Sequence, residues 1–283
     1  MHTSVRVILM LSVLLIGSFV PVSAESEANI SDPGLIISPS SLGGENQTGY
    51  LSVTEILPLL NTSGLVQVSM PSSVAIIHVE PEQAFSPNAI RPGAEVLYII
   101  DGSAEITADS ADTNASEGDA ILVPAGSVMM VKNTGAVPLS FISVLSAEVE
   151  ENTTEQILIK RTPESKQPVT FGNATDSDLF TVNRMFSTFE EPLPISFDLA
   201  VITIPAGNSV RDHYMKSGQL GYVLSGTGNS TIGCESHTIG AGDISYVPPY
   251  AVQGFDASEE MKIMLITEPF YQPVQDFPSP GLC

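Results

Sequence analysis

Residues 207–226 read GNSVRDHYMKSGQLGYVLSG and residues 242–253 read GDISYVPPYAVQ. As spacings, Gly207-x5-His213-x-Met215-x3-Gln219-x6-Gly226 is followed by Gly242-x5-Pro248-x-Tyr250-x2-Gln253. Residues i and i+2 of a strand point to one face, so His213 and Met215 project together. The glycines and prolines mark tight turns that set strand register. An upstream stretch has the same layout. Residues 89–102 (AIRPGAEVLYIIDG) give Ala89-x-Arg91-x3-Glu95-x6-Gly102, and residues 118–133 (GDAILVPAGSVMMVKN) give Gly118-x5-Pro124-x-Gly126-x2-Met129-x3-Asn133.

The two stretches lie at one fixed offset. Gly102 and Gly226 are 124 residues apart, as are Gly118 and Gly242, Tyr98 and Tyr222, Asp119 and Asp243, and Pro124 and Pro248. A single offset over such a span signals duplication of a whole domain. Within each copy, short runs rich in Val and Ile alternate with Gly, Pro, Asn or Asp. Examples are 74–77, 120–123 and 139–142 in the first copy, and 197–204, 244–247 and 261–266 in the second. Helical periodicity is weak. The expected architecture is therefore all-β, with one antiparallel double-sheet barrel per copy. The expected division is a signal peptide at 1–24, an N-terminal arm at 25–69, a first barrel at 70–149, a linker at 150–194, and a second barrel with a C-terminal tail at 195–283. The linker reads as a polar connector holding one strand, Gln156 to Ile159.

These spacings resemble the two motifs of the cupin superfamily, G-x5-H-x-H-x3–4-E-x6-G and G-x5-P-x-G-x2-H-x3-N. The resemblance covers roughly residues 70–147 and 196–270, and it implies two tandem cupin barrels, each a double-stranded β-helix or jelly roll. In that family the motif histidines and acid hold a metal ion. Here the second copy offers His213, Met215, Gln219 and Gln253, and the first offers Ala89, Arg91, Glu95 and Met129. One imidazole, one thioether and two neutral amides suit a hard divalent ion poorly, because no anion offsets its charge. Copper(I) tolerates His and Met, so a divalent or copper ion at these four positions is the metal alternative to an empty polar interior or an organic-ligand pocket. In the first copy Arg91 is a cation where a metal would sit, and it is expected to pair with Glu95. His78 and His237 fall on no motif position; His78 reads as a structural or edge residue and His237 as exposed.

Composition bounds the setting. A 283-residue chain with 43% hydrophobic residues builds real cores. Arg6, the apolar run from Val7 to Val20 and the small residues Val22-Ser23-Ala24 read as an export signal. Without it, 9 basic residues face 32 acidic ones, a net charge of −23. Such a surface repels phosphate backbones, so no nucleic-acid partner is expected. No second apolar run has spanning length, so no stable membrane span is expected after cleavage. Seven sequons, at Asn29, Asn46, Asn61, Asn114, Asn152, Asn173 and Asn229, are candidate glycosylation sites. The two cysteines, Cys234 and Cys283, are in number a disulfide pair, with intermolecular pairing or free thiols left open.

The expectation is a secreted or cell-surface acidic two-barrel protein acting without catalysis, as a binding or structural protein. A small organic acid or glycan would sit in the second barrel, where Arg211, Tyr214 and Gln219 surround the motif. Oligomers occur in the family, and nothing in the sequence selects one. The alternative is a divergent metal-dependent enzyme of oxidoreductase, decarboxylase or isomerase type using the second barrel. A third reading, metal-free chemistry with Glu95 as acid or base beside Arg91, is set against a purely structural ion pair.

Overall fold

Runs such as Val96-Leu97-Tyr98-Ile99 carry no polar face. Antiparallel strands of that kind need cover on both sides, whereas alternating strands keep one face wet. The computed structural model describes residues 34–38, 45–48, 51–57, 68–87, 90–147 and 157–279. The expected leader at 1–24, Ala89, Cys283, the sequons at Asn29, Asn61 and Asn152 and the side chain of Asn46 lie outside the described residues.

The described residues begin with β1 (Leu35–Ile37), β2 (Glu45–Thr48) and β3 (Leu51–Glu55). There follow β4 (Ser73–Val79), β5 (Ala84–Phe85), β6 (Glu95–Asp101), β7 (Ser103–Ala108), β8 (Ala111–Ser116), β9 (Ala120–Val123), β10 (Met129–Asn133) and β11 (Leu139–Leu145). Next come β12 (Ile159–Arg161), β13 (Val169–Phe171) and β14 (Phe180–Phe186). The second copy then runs β15 (Asp198–Ile204), β16 (Ser209–Met215), β17 (Gly218–Ser225), β18 (Thr227–Ile232), β19 (Glu235–Gly240), β20 (Ile244–Val247), β21 (Val252–Ala257) and β22 (Met261–Glu268). A 3-10 turn at Pro273–Gln275 leads into β23 (Asp276–Pro278). Among the described residues no helix is long and apolar enough to cross a membrane.

Each copy is a two-sheet barrel. The first pairs the sheet β12-β9-β6-β11-β4-β3-β2 with β5-β10-β7-β8, and the second pairs β1-β20-β17-β22-β15-β14-β13 with β19-β18-β21-β16-β23. In the first barrel Ile77, Leu97, Ile99, Ile121 and Phe141 face inward onto Ile106, Met129 and Val131 of the smaller sheet. Their sequence neighbours Val74, Ile76, Val96, Tyr98, Leu122 and Ile142 form the opposite face, and they share one core with Leu199, Leu220, Ile244, Tyr246, Met264 and Ile266 of the second barrel. The two large sheets therefore pack on each other and the small sheets lie outside, giving four layers. Strands buried on both faces are the ones that read as unbroken apolar runs. Each fully buried aliphatic side chain stabilises by about 1.5–3 kcal/mol relative to exposure.

Serines and one carboxylate complete this contact. Ser72 and Ser196 are 124 residues apart, and their hydroxyls meet at 3.1 Å, which places them about the pseudo-twofold axis of the duplication. Glu268 is buried there. It accepts from Ser72 N at 3.0 Å and Ser72 Oγ at 2.7 Å, and also from Ser196 Oγ.

The duplication extends further than the sequence predicts. Residues 150–194, expected to be a connector with a single strand at 156–159, carry β12, β13 and β14. β14 and β13 extend the second barrel beyond β15, as β3 and β2 extend the first beyond β4. The two barrels also exchange edge strands. β1, which precedes the first barrel, pairs with β20 of the second (Leu35 opposite Tyr246), and β12 pairs with β9 of the first (Ile159 opposite Leu122). Both members of each pair are related by the same offset of 124. These strands are three residues long or half-exposed, too short for a hydrophobic period to register.

Candidate functional site

In the second barrel three strands bring the motif residues together. His213 and Met215 lie on β16, Gln219 on β17 and Gln253 on β21, where Gln253 is the cross-strand partner of His213. Directly opposed residues share a face, so Gln253 also points to the barrel interior. His213 Nδ1 lies 2.9 Å from the Arg211 carbonyl. A carbonyl only accepts, so Nδ1 donates and the neutral ring keeps its lone pair on Nε2. Gln219 Nε2 donates to Thr267 Oγ1 at 3.1 Å. Gln253 is 1% exposed, and its Oε1 has no hydrogen-bond partner.

A bulge interrupts β16 between Val210 and His213, inserting one residue against β21. The bulge brings Asp212 to the wall of the site. A Cβ on Gly254 would stand 2.3 Å from Asp212 Oδ1, so only glycine there admits the carboxylate in this position. Burial, then the negative Asp256, pushes the Asp212 carboxyl above its ordinary range, and His213 opposes this.

Asp212, His213, Met215 and Gln219 line a cavity of about 400 Å³, whereas Gln253 is not part of its wall. Its walls are largely apolar, with Phe180, Phe186, Ile202, Phe255 and Leu265 among them. The tail closes one side: β23 pairs with β16, and Phe277 stacks on Tyr214 at 5.1 Å. Arg211 reaches the cavity but is tied to Asp178 at 2.8 Å and lies 3.9 Å from Asp176. Arg184 bonds Glu190 at 3.0 Å and sits 5.7 Å over the Tyr271 ring. Asp198 is buried and accepts from Thr188 N at 2.7 Å, Thr188 Oγ1 at 3.0 Å, Tyr271 N at 3.2 Å and Ser187 Oγ at 3.3 Å. Burial still holds its carboxyl above the ordinary range against those donors. Burial, then Asp276, pushes the Tyr271 phenol up to about 12.

The first barrel differs. Glu95 is buried and accepts from Ser143 Oγ, while Arg91 Nε stands 3.7 Å from its other oxygen, as the sequence predicts. Burial raises the Glu95 carboxyl, Ser143 and then Arg91 lower it, and Glu55 raises it slightly. Met129 belongs to the packed interior, in one buried cluster with Phe85 and Phe141.

The donor set of the second barrel does not fit a hard divalent ion. Met215 is a buried thioether, one amide is engaged with Thr267, and no carboxylate occupies a motif position. Among the described residues no three His, Cys, Asp or Glu side chains converge. His237 is partly exposed, 3.7 Å from Glu235, and His78 is exposed and bonds Ser140 Oγ at 2.7 Å. Cys234 is disulfide-bonded. The sequon residues Asn114 and Asn173 are exposed; the Asn173 amide donates to Asp176 at 2.8 Å and accepts from Thr175 N at 2.9 Å, and the Asn229 amide oxygen accepts from Thr238 at 3.1 Å. Asp212 lies between Gly207 and Gly226, so an acid beside the motif histidine was a visible signal. Arg184, Phe186, Tyr271 and Asp276 come from the supposed linker and the tail, where no motif marked them.

The protein-family profile described as a cupin domain matches residues 75–145 and 200–267. No curated protein matches the chain. Several solved structures share its two-barrel architecture. A point variant of Bacillus subtilis oxalate decarboxylase is 14% identical with a TM-score of 0.66, covering 88% of this chain and 81% of its own. Protein YlbA of E. coli is 15% identical with a TM-score of 0.65, covering 84% and 91%. Vicilin from hazelnut, Corylus avellana, is 13% identical with a TM-score of 0.64, covering 83% and 85%. At such identities these likenesses speak to the fold.

Proposed function

The chain is a tandem cupin, and we propose that it is an exported binding protein that holds a small organic molecule in its second barrel and uses its first barrel as scaffold. The observation that carries this reading is the cavity of about 400 Å³, walled by His213, Met215 and Gln219 at positions that in the family serve a metal. Its volume lies within the range of ligand sites, and its mix of apolar walls with a few convergent polar groups is the usual composition of one. The first barrel instead fills its interior with Met129, Phe85 and Phe141. The leader-like start, the sequons and the acidic charge support export. Two-barrel relatives include an enzyme, oxalate decarboxylase, and vicilin, so the fold itself does not decide between catalysis and other roles.

A ligand-observed NMR screen of small amines, alcohols, sugars and acids tests the reading. Binders should be found, and Ala200→Leu, which fills the cavity wall, should abolish binding while the protein stays folded. A folded protein that binds nothing, or whose binding survives Ala200→Leu, overturns it. The metalloenzyme alternative rests on one observation, the lone pair left on His213 Nε2, and metal content decides it.

A further inference from the structure

If the second barrel is a ligand site, the charges around its cavity narrow the chemical class of the ligand, an inference that rests on that proposed role. Four carboxylates line the cavity, those of Asp178, Asp198, Asp212 and Asp276, against two guanidiniums, Arg184 and Arg211. Both guanidiniums are already bonded to carboxylates, at 3.0 Å and 2.8 Å. An entering anion would therefore meet net negative charge and no free cation. The carboxylates are not equivalent. Asp198 is saturated by four donors, Asp178 holds Arg211, and Asp276 accepts from Tyr271 at 3.1 Å. Asp212 alone has no hydrogen bond or ion pair to another described side chain. The empty space at Gly254 is what lets it stand there. The following residue, His213, also lines the cavity and leaves Nε2 as a second acceptor. Phe255 follows Gly254 on the same strand and contributes an aromatic wall.

We propose that the second barrel selects a cationic amine with an aromatic or apolar body, its ammonium donating to Asp212 and to the His213 acceptor. An ammonium supplies three donors and a charge, matching an unpaired carboxylate and a neutral acceptor. Aromatic faces attract cations further. A small organic acid, one of the two ligand classes expected from sequence beside a glycan, would bring a like charge up to the carboxylates of the cavity wall.

Three probes with a common phenyl body separate the effects: 2-phenylethylamine, 2-phenylethanol and 3-phenylpropanoate, titrated calorimetrically into the purified protein near pH 7. The amine should bind tightest and the acid at least about tenfold more weakly. Asp212→Asn should cut amine affinity roughly ten- to hundredfold and leave the alcohol unchanged. Gly254→Ala, which displaces the carboxylate, should act in the same direction. If the alcohol or acid binds as well as the amine, the charge selection is wrong although the cavity stands as a ligand site. Amine preference that survives Asp212→Asn overturns the assignment of Asp212. No binding of any probe, with Ala200→Leu also inert, removes the cavity reading itself. Should Asp212→Asn fail to fold, the order of the three probes on the unmodified protein still decides.

Discussion

Glu268 sits where the two halves of the duplication meet, and replacing it tests whether that contact stabilises the whole chain. The carboxylate is 2% exposed and accepts three hydrogen bonds, two from Ser72 and one from Ser196. A bond to a charged group contributes about 1.5–3 kcal/mol net. Three of them do not add fully, because the serine hydroxyls also contact each other at 3.1 Å and Ser146 at 3.2 Å, and so can re-pair. Desolvating the carboxylate also offsets part of the gain. Glu268→Ala leaves the Ser72 N–H and a cavity behind, and the expected loss is about 3–5 kcal/mol. For a chain of this size that lowers Tm by roughly 6–15 °C. Glu268→Gln keeps one accepting oxygen for the hydroxyls and should cost less, about 1–2 kcal/mol. Urea titration followed by tyrosine fluorescence and circular dichroism gives both values. A loss under about 1 kcal/mol for Glu268→Ala, with both signals still coincident, would refute the view that this polar cluster joins the barrels.

Other outcomes are expected on the same geometry. The triple change Met215→His, Gln219→Glu and Gln253→His restores two imidazoles and an anion around His213, and should confer about one bound divalent ion per chain by elemental mass spectrometry; continued absence of metal would show that the cavity walls, not the ligands alone, have diverged. Glu95 has a folded-state pKa raised above its ordinary value near 4.5. Its contribution is thus fully present below that value and lost as pH rises through the raised one. Glu95→Gln, which keeps the acceptor for Ser143, should therefore flatten this part of the pH profile and cost under about 1 kcal/mol at pH 7; urea midpoints between about pH 4 and 8 decide it. Gly34→Val should undo the docking of β1, since a Cβ at Gly34 would lie 2.1 Å from Ile232 Cγ2 and 2.6 Å from the Tyr246 carbonyl; a destabilisation of roughly 1–3 kcal/mol is expected, and an unchanged Tm would contradict the pairing of β1 with β20.

The barrels were legible because their inner strands are buried on both faces and their turns need particular residues. Gly102, Gly118, Gly226 and Gly242 all have φ between 83° and 90°, so the repeat in turns was a repeat in backbone conformation. The motif spacing located His213, Met215 and Gln253 on two paired strands and Gln219 on a strand of the other sheet, and it located Arg91 beside Glu95. The outer strands and the exchange of β1 and β12 left little trace, because three-residue strands such as Ile159-Lys160-Arg161 are stabilised by a distant partner and not by local pattern. The same cause hid much of the cavity wall. Phe186 and Arg184 lie on β14 in the supposed connector, and Tyr271 and Asp276 belong to the tail. The unpaired state of Asp212 depends on a bulge and on Gly254, both of which require the register of β16 against β21.

Whether the second barrel holds an organic ligand or a catalytic metal is decided by elemental mass spectrometry. The purified protein, prepared without chelator, is dialysed in turn against manganese, iron(II), copper and zinc and then freed of excess ion. With an organic-ligand site, metal should stay far below one equivalent per chain and should not differ between the unmodified protein and His213→Ala. A stoichiometric transition metal that disappears in His213→Ala would overturn that reading and turn the second barrel into a metal centre.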